Sequence, residues 1–124
     1  MRDHRKLRAF GLADELAVTT YKTTAVFPRA EQFGLTSQMR RAAVSAVSNI
    51  VEGCARATQT EYLRFLDIAF GSVREVEYQA SLSCRLGYLG DSDFQSLNNL
   101  CNETLKVLGS LIRSLRCAPF SPRP

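Results

Sequence analysis

Hydrophobic residues recur at steps of three and four along four stretches of the chain, the spacing that lines one face of an α-helix. No stretch alternates apolar and polar residues as a half-buried strand does. The pattern predicts helices over about 7–25, 36–56, 60–86 and 91–116. Four helices joined by short turns favour an all-α fold, an antiparallel up-and-down four-helix bundle. The last helix has the most regular apolar face, made of Phe94, Leu97, Leu100/Cys101, Thr104/Leu105, Leu108, Leu111/Ile112 and Leu115.

Proline, glycine and capping residues mark the ends of these helices. Pro28 requires an extended step at Phe27, because the residue before proline avoids the helical region. Thr36 or Ser37 is the expected N-cap of the second helix, and Thr60 that of the third. We expect residues 1–6 to form a basic tail and residues 117–124 a proline-rich one, with the bundle spanning residues 7–116 between them.

The second helix carries two rows of side chains on opposite faces. Its apolar row consists of Leu35, Met39, Ala43, Ala46/Val47, Ile50 and Cys54. Its polar row, about 180° away at about 100° per residue, consists of Arg41, Ser45, Ser48, Glu52 and Arg56. The polar row is compatible with a solvated surface, a subunit contact or a ligand site. Because the serines between the charged ends let another helix approach, we favour a contact between helices or subunits.

The third predicted helix has two apolar faces. The main row is Tyr62, Leu66, Ala69/Phe70, Val73, Glu77, Ala80 and Cys84. The second row includes Ile68, Gly71, Glu75, Leu82 and Leu86. A helix in an isolated bundle needs one buried stripe, so the second row indicates either a neighbouring chain or a central position in the fold. We interpret this second row as a subunit interface.

Glu77 is the one acidic residue in the main row. A buried carboxylate without a partner is strongly destabilising, and Arg40, at the border of the second helix's apolar face, is the expected partner. A hydrogen bond with Tyr62 or Tyr78 is an ordinary alternative. A bundle enzyme centred on Glu77 is a weaker hypothesis, because acid/base catalysis needs a second positioned group and the sequence suggests none.

The residue inventory predicts no enzyme, and no catalytic, cofactor or metal residues. Its only histidine is His4, and its four cysteines, Cys54, Cys84, Cys101 and Cys117, contain no C-x-x-C pair, so neither a zinc site nor a histidine-activated nucleophile is expected. There is no glycine-rich phosphate loop. The chain has no apolar run of the roughly 20 residues that cross a bilayer, and its first residues are too polar for a signal peptide. We therefore expect a cytoplasmic protein with no membrane partner.

The formal net charge is +4, and the excess is concentrated near the N-terminus. Such a basic end can bind RNA, DNA or an acidic partner, or act only as a solubilising tail. The candidate phosphate contacts are Arg5, Lys6 and Arg8, joined by Arg113 and Arg116 if the two termini meet. Phosphate contacts of this kind position a nucleic acid without reading its bases.

Several motifs together resemble one bacterial family. They are the run GLTSQMRRAAVSAVSNIVEGCAR at residues 34–56, EYLRFLDIAFGSVREVE at residues 61–77, the Phe27-Pro28 pair, and LGYL at residues 86–89. This pattern is similar to the 23S ribosomal RNA intervening-sequence proteins, also called four-helix-bundle proteins. The departures, at Ala46, Val47, Val51 and Cys54, are mild changes in packing.

The resemblance implies a homo-oligomeric bundle, typically a pentameric ring, with no established enzymatic activity. The family also resembles the accessory proteins of diversity-generating retroelements, which bind nucleic acid and a reverse transcriptase. The leading hypothesis is therefore a non-enzymatic oligomeric adaptor that presents basic surface to RNA, DNA or a nucleic-acid enzyme. The alternative is a protein–protein interaction module that acts through the two-faced third helix and binds no nucleic acid.

Overall fold

The computed structural model describes residues 2–117, so the predicted C-terminal tail lies outside the described residues except for Cys117. Four α-helices make up the fold: α1 (Arg8–Thr24), α2 (Leu35–Cys54), α3 (Gln59–Arg85) and α4 (Asp91–Cys117). Single 3-10 turns at His4–Lys6 and Arg29–Glu31 precede α1 and α2. Residues 2–117 contain no strand, which confirms the all-α prediction.

Each helix packs against two others. The neighbours are α1 with α2, α2 with α3, α3 with α4, and α4 with α1, which is the arrangement of a four-cornered bundle. Contacts join the end of one helix to the start of its neighbour: Gly53 near the end of α2 lies against Tyr62 and Phe65 near the start of α3, and the Gln59 side chain at the start of α3 donates to the Leu115 carbonyl near the end of α4 at 3.0 Å. Consecutive helices therefore run in opposite directions.

Two apolar clusters follow each other along the bundle. One contains Leu16, Met39, Val73 and Leu97, all fully buried, among others. The other is formed by Ala9, Ala13, Ile50, Cys54, Tyr62, Leu66, Ala69, Leu108 and Ile112. Each fully buried leucine or isoleucine contributes about 1.5–3 kcal/mol through removal from water. Within residues 2–117, no helix is both long and apolar enough to cross a membrane.

The buried row of α3 differs from the predicted one in its second half. Tyr62, Leu66, Ala69, Val73, Val76, Ala80 and Ser83 are buried, whereas Glu77 and Cys84 are half-buried. These buried positions alternate steps of four and three, a 3.5-residue repeat that keeps one seam turned toward neighbouring helices. The prediction took a step of four after Val73, which carried the row to Glu77 instead of Val76.

The helix starts are also organised differently from the prediction. Glu31, rather than Thr36 or Ser37, caps α2: its Oε1 accepts from the Leu35 amide at 2.9 Å. The Tyr88 hydroxyl donates to Oε2 of the same carboxylate at 3.1 Å, which ties the α3–α4 turn to the α1–α2 connection. Thr58, rather than Thr60, caps α3 and accepts from the Glu61 amide. The Glu31 cap comes from a preceding 3-10 turn, a geometry that local sequence preferences do not reveal.

Candidate interaction surfaces

The polar row of α2 and the second row of α3 lie side by side on one surface, which we call the α2–α3 face. The Ser45 and Ser72 hydroxyl oxygens are 2.9 Å apart and link the two helices along it. A shallow cleft of about 500 Å³ opens beside this link, and Arg41 and Glu75 both line it. The remaining lining residues are Phe33, Ser37, Gln38, Ala42 and Ser45. Two rows that the sequence presents separately therefore form one surface.

This face exposes large apolar side chains. Phe33 is 89% exposed, Leu86 is 52% exposed and Ile68 is 41% exposed. Gly71 and Glu75 are exposed between them, and Leu82 is half-buried. Scattered apolar residues are ordinary on a surface, but several beside a cleft on one face are typical of interaction sites.

The side chains of the polar row of α2 differ in their exposure and in their ion pairs. Arg41, Ser48 and Glu52 are exposed, and Ser45 is half-buried against α3. Arg56 donates to Glu52 at 3.4 Å, an exposed pair one helical turn apart that contributes a few tenths of a kcal/mol. Arg41 and Glu75 take part in no ion pair among residues 2–117. Each of these two side chains is thus available to a charged group from outside the chain.

The predicted ion pair between Arg40 and Glu77 is not formed. The Arg40 guanidinium lies 4.6 Å over the Tyr21 ring and donates to the Thr24 hydroxyl at 2.9 Å. Glu77 instead pairs with Arg74, one turn earlier on α3, at 3.1 Å. Its side chain is 27% exposed, so the carboxylate reaches water and does not need a buried cation. The prediction was wrong because Glu77 lies beside the buried seam and not in it.

The candidate phosphate contacts gather at one end of the bundle. Leu7, just before α1, and Leu115, near the end of α4, pack on the same apolar cluster, so the two termini lie at this end. Three of the five candidates are engaged within the chain. The pairs are Arg5 with Asp3, Arg8 with Glu103, and Arg116 with Asp67. Lys6 and Arg113 are exposed and have no ion pair within residues 2–117.

The basic segment that the sequence analysis assigns to an N-terminal tail contacts the bundle. We call residues 2–6 the N-terminal strap. The Arg2 guanidinium lies 4.0 Å over the Tyr62 ring and donates to the Arg56 carbonyl at 2.9 Å. Asp3 accepts from the Arg5 amide, and the His4 ring contacts Phe10 edge-on at 4.8 Å. These partners lie far away in sequence or in short turns, so no local pattern signals them.

Two buried ionisable side chains lie at the corner where the strap docks. Cys54 is 1% exposed and Tyr62 is 3% exposed. Burial raises the pKa of the Cys54 thiol, an effect that the nearby Tyr62 hydroxyl partly offsets. Burial also raises the pKa of Tyr62 to about 12. Both groups are therefore protonated and act as packing residues at neutral pH.

The fold and these surfaces define an all-α bundle protein with a cleft between two helices on one face and a basic end. The chain matches the 23S rRNA-intervening sequence protein family over residues 5–110, and it belongs to that family. This confirms the resemblance seen in the sequence motifs.

One similar solved structure is that of a protein of unknown function from the S23 ribosomal protein family of Bacteroides thetaiotaomicron. It is 27% identical with a TM-score of 0.76, and the match covers 85% of this chain and 98% of that one. No curated protein matches the chain.

Proposed function

We propose that this protein is a non-enzymatic scaffold that assembles with copies of itself through the α2–α3 face. The observation that carries the proposal is the meeting of two rows on that face, where the Ser45–Ser72 link lies beside a cleft and exposed apolar side chains. Burying Phe33 and Ile68 against a second chain would contribute on the order of 1.5–3 kcal/mol each, reduced for Ile68 because it is already partly covered.

Charge supports the same assembly. Arg41 and Glu75 line one cleft, carry opposite signs and have no ion pair within residues 2–117. An interface that covers this cleft with a different face of the next copy would bring a carboxylate to Arg41 and a cation to Glu75, and these pairs would fix the register of the contact. The family resemblance favours a five-membered ring. A ring of this size uses a second, different face on each subunit, because identical faces close a pair.

Sedimentation equilibrium on the wild type and on Arg41→Glu tests this assembly. We expect the wild type to sediment as an oligomer and Arg41→Glu to shift toward the monomer, because the reversal places two negative charges together. Lys106→Glu is the matched control, since Lys106 is exposed on α4 and unpaired within the described chain. A monomeric wild type, or equal masses for all three proteins, would refute the proposal.

A second candidate function, nucleic-acid binding at the basic end, is favoured by the convergence of the two termini. Lys6 and Arg113 supply unpaired cations there, and the paired arginines can exchange their carboxylates for phosphates. Each phosphate neutralised releases counterions and makes affinity fall with salt. Repetition of this end around an oligomer would further raise the avidity for a long polyanion.

Filter binding of a short DNA duplex over a salt series tests this candidate. We expect binding at low salt that weakens steeply as salt rises, and a shallower salt dependence for the double variant Lys6→Glu/Arg113→Glu. The double variant Lys22→Glu/Lys106→Glu is the control for net charge, because both lysines are exposed and have no ion pair within residues 2–117. No binding at low salt, or a salt-independent affinity, would contradict nucleic-acid binding. It would leave the α2–α3 face to act as a protein interaction module.

A further inference from the structure

The N-terminal strap is held to the bundle by a few side-chain contacts. At the α2–α3 corner, the Arg2 guanidinium stacks on Tyr62 and donates to the Arg56 carbonyl. On α1, Phe10 receives an edge-on contact from the His4 ring. The strap itself contributes no buried residue, so it can detach while the helices stay folded.

The strap has few contacts of its own, so its turn depends on docking. The Asp3 carboxylate accepts from the Arg5 amide and forms an ion pair with the Arg5 guanidinium, and both contacts lie inside the strap. His4–Lys6 forms a single 3-10 turn with the Leu7 amide bonded to the His4 carbonyl. One isolated turn is not stable by itself, so the amides bonded within it lose protection when the strap detaches.

The same strap carries part of the basic end. Arg2 is half-buried, whereas Arg5 and Lys6 are exposed. Arg2 lies four residues before Lys6 in the same strap, and a guanidinium–phosphate pair is a charge-assisted, bidentate contact. It competes directly with a stacking contact and one bond to a neutral carbonyl.

We propose that the N-terminal strap opens and closes over the α2–α3 corner as a local unit, and that nucleic-acid phosphates open it by drawing Arg2 away from Tyr62. The second part rests on the nucleic-acid binding proposed above. Opening uncovers one face of the Tyr62 ring and the Arg56 carbonyl. Binding at the basic end is thereby coupled to the exposure of the connection between α2 and α3.

Hydrogen exchange of the full chain, followed by mass spectrometry, measures strap opening directly. We expect Arg2→Ala to speed exchange by about tenfold at the Lys6 and Leu7 amides, which bond within the turn, as expected for losing one cation–π contact and one hydrogen bond. Exchange in the middle of α4 should stay unchanged. Arg2→Lys should restore part of the protection, because an ammonium also stacks on an aromatic ring. Lys22→Ala is the control that removes a positive charge from an exposed position of α1, outside the strap.

Two results of this first arm would overturn the strap as a local unit. One is equal exchange at Lys6 and Leu7 in the wild type and Arg2→Ala, which would mean that Arg2 does not hold the strap. The other is faster exchange across all helices in Arg2→Ala, which would mean that the strap opens only when the bundle unfolds.

A second arm adds the short DNA duplex to the wild type at low salt. Faster exchange at Lys6 and Leu7 with the duplex bound supports opening by phosphates, and the effect should be absent in Arg2→Ala, whose strap is already released. Binding with unchanged or slower strap exchange overturns the coupling and leaves nucleic-acid binding intact. No binding in the filter assay overturns the coupling and the binding candidate together, while the strap result of the first arm stands separately.

Discussion

Gly53 lies at a close contact between α2 and the start of α3, and its replacement by alanine measures how tightly the two helices are packed there. A Cβ at this position would lie 3.0 Å from the Phe65 Cβ, 3.2 Å from the Tyr62 ring and 3.3 Å from the Tyr62 carbonyl oxygen. One of these neighbours is backbone, and the Phe65 atom is the first carbon of its side chain. The helices must therefore separate slightly to admit the methyl group.

Two effects of opposite sign decide the outcome at Gly53. Replacing glycine by alanine stabilises a helix interior by up to about 1 kcal/mol, and by less in the last turn, where Gly53 lies. Overpacking a close helix contact costs about 1–3 kcal/mol. We therefore expect Gly53→Ala to lower the free energy of unfolding by about 1–2 kcal/mol.

Gly11→Ala provides the matched control in α1. An added Cβ there meets nothing within 4 Å, and Gly11 is exposed. Only the helix preference applies, so Gly11→Ala should stabilise the protein by about 0.5–1 kcal/mol. Urea denaturation of both variants at two protein concentrations separates these effects from any change in assembly. If both variants gained the same stability, the argument for a close α2–α3 contact would be refuted.

Three further predictions follow from the capping residues and the buried ionisable groups. Thr58→Ala should destabilise the protein by about 1 kcal/mol through loss of the α3 cap, while Thr58→Ser should keep most of the wild-type stability because serine also caps a helix. Thermal unfolding of both variants distinguishes loss of the cap from loss of packing. Gly87→Ala should lower the free energy of unfolding by about 1–2 kcal/mol because Gly87 has a φ of +80°, and Gly87→Asn should lower it less because asparagine adopts this conformation more readily. Equal losses of stability for the two variants in urea denaturation would contradict this. Burial raises the pKa of Cys101 and of Tyr62 to about 12 each, so both remain protonated in the fold after they ionise in the unfolded chain. Stability should therefore fall as pH rises from about 9 toward 12, and Cys101→Ala should flatten the fall between pH 9 and 10 in unfolding titrations.

Helical periodicity in the sequence was sufficient to predict the all-α class, because Leu97, Leu108 and Ile112 repeat on one face of a long amphipathic helix. It did not resolve α3 at the level of single residues. Val76 and Glu77 differ by about 100° around the helix, and choosing a step of three or four after Val73 decides which one is buried. That choice depends on how α3 winds against both neighbours, which one helix's sequence does not contain.

The candidate surfaces depended even more on tertiary structure. Each of the two rows on the α2–α3 face is visible in the sequence, but their meeting at Ser45 and Ser72 follows from the packing of α2 on α3. Arg2 was assigned to a tail because no nearby residue offers it a partner, whereas its partners, Tyr62 and Arg56, lie more than 50 residues later. Contacts that join distant segments through single side chains leave no periodic signal.

The hydrogen bond from Tyr88 to Glu31 has a consequence for the order of folding events. It joins two connections separated by 57 residues in sequence, and both must be in place before it forms. Closing so long a loop costs chain entropy that one hydrogen bond does not offset, so the bond should form after the rate-limiting step. Tyr88→Phe would then speed unfolding and leave the folding rate unchanged in stopped-flow measurements. The bond would thus set how long the native bundle persists rather than how quickly it is reached.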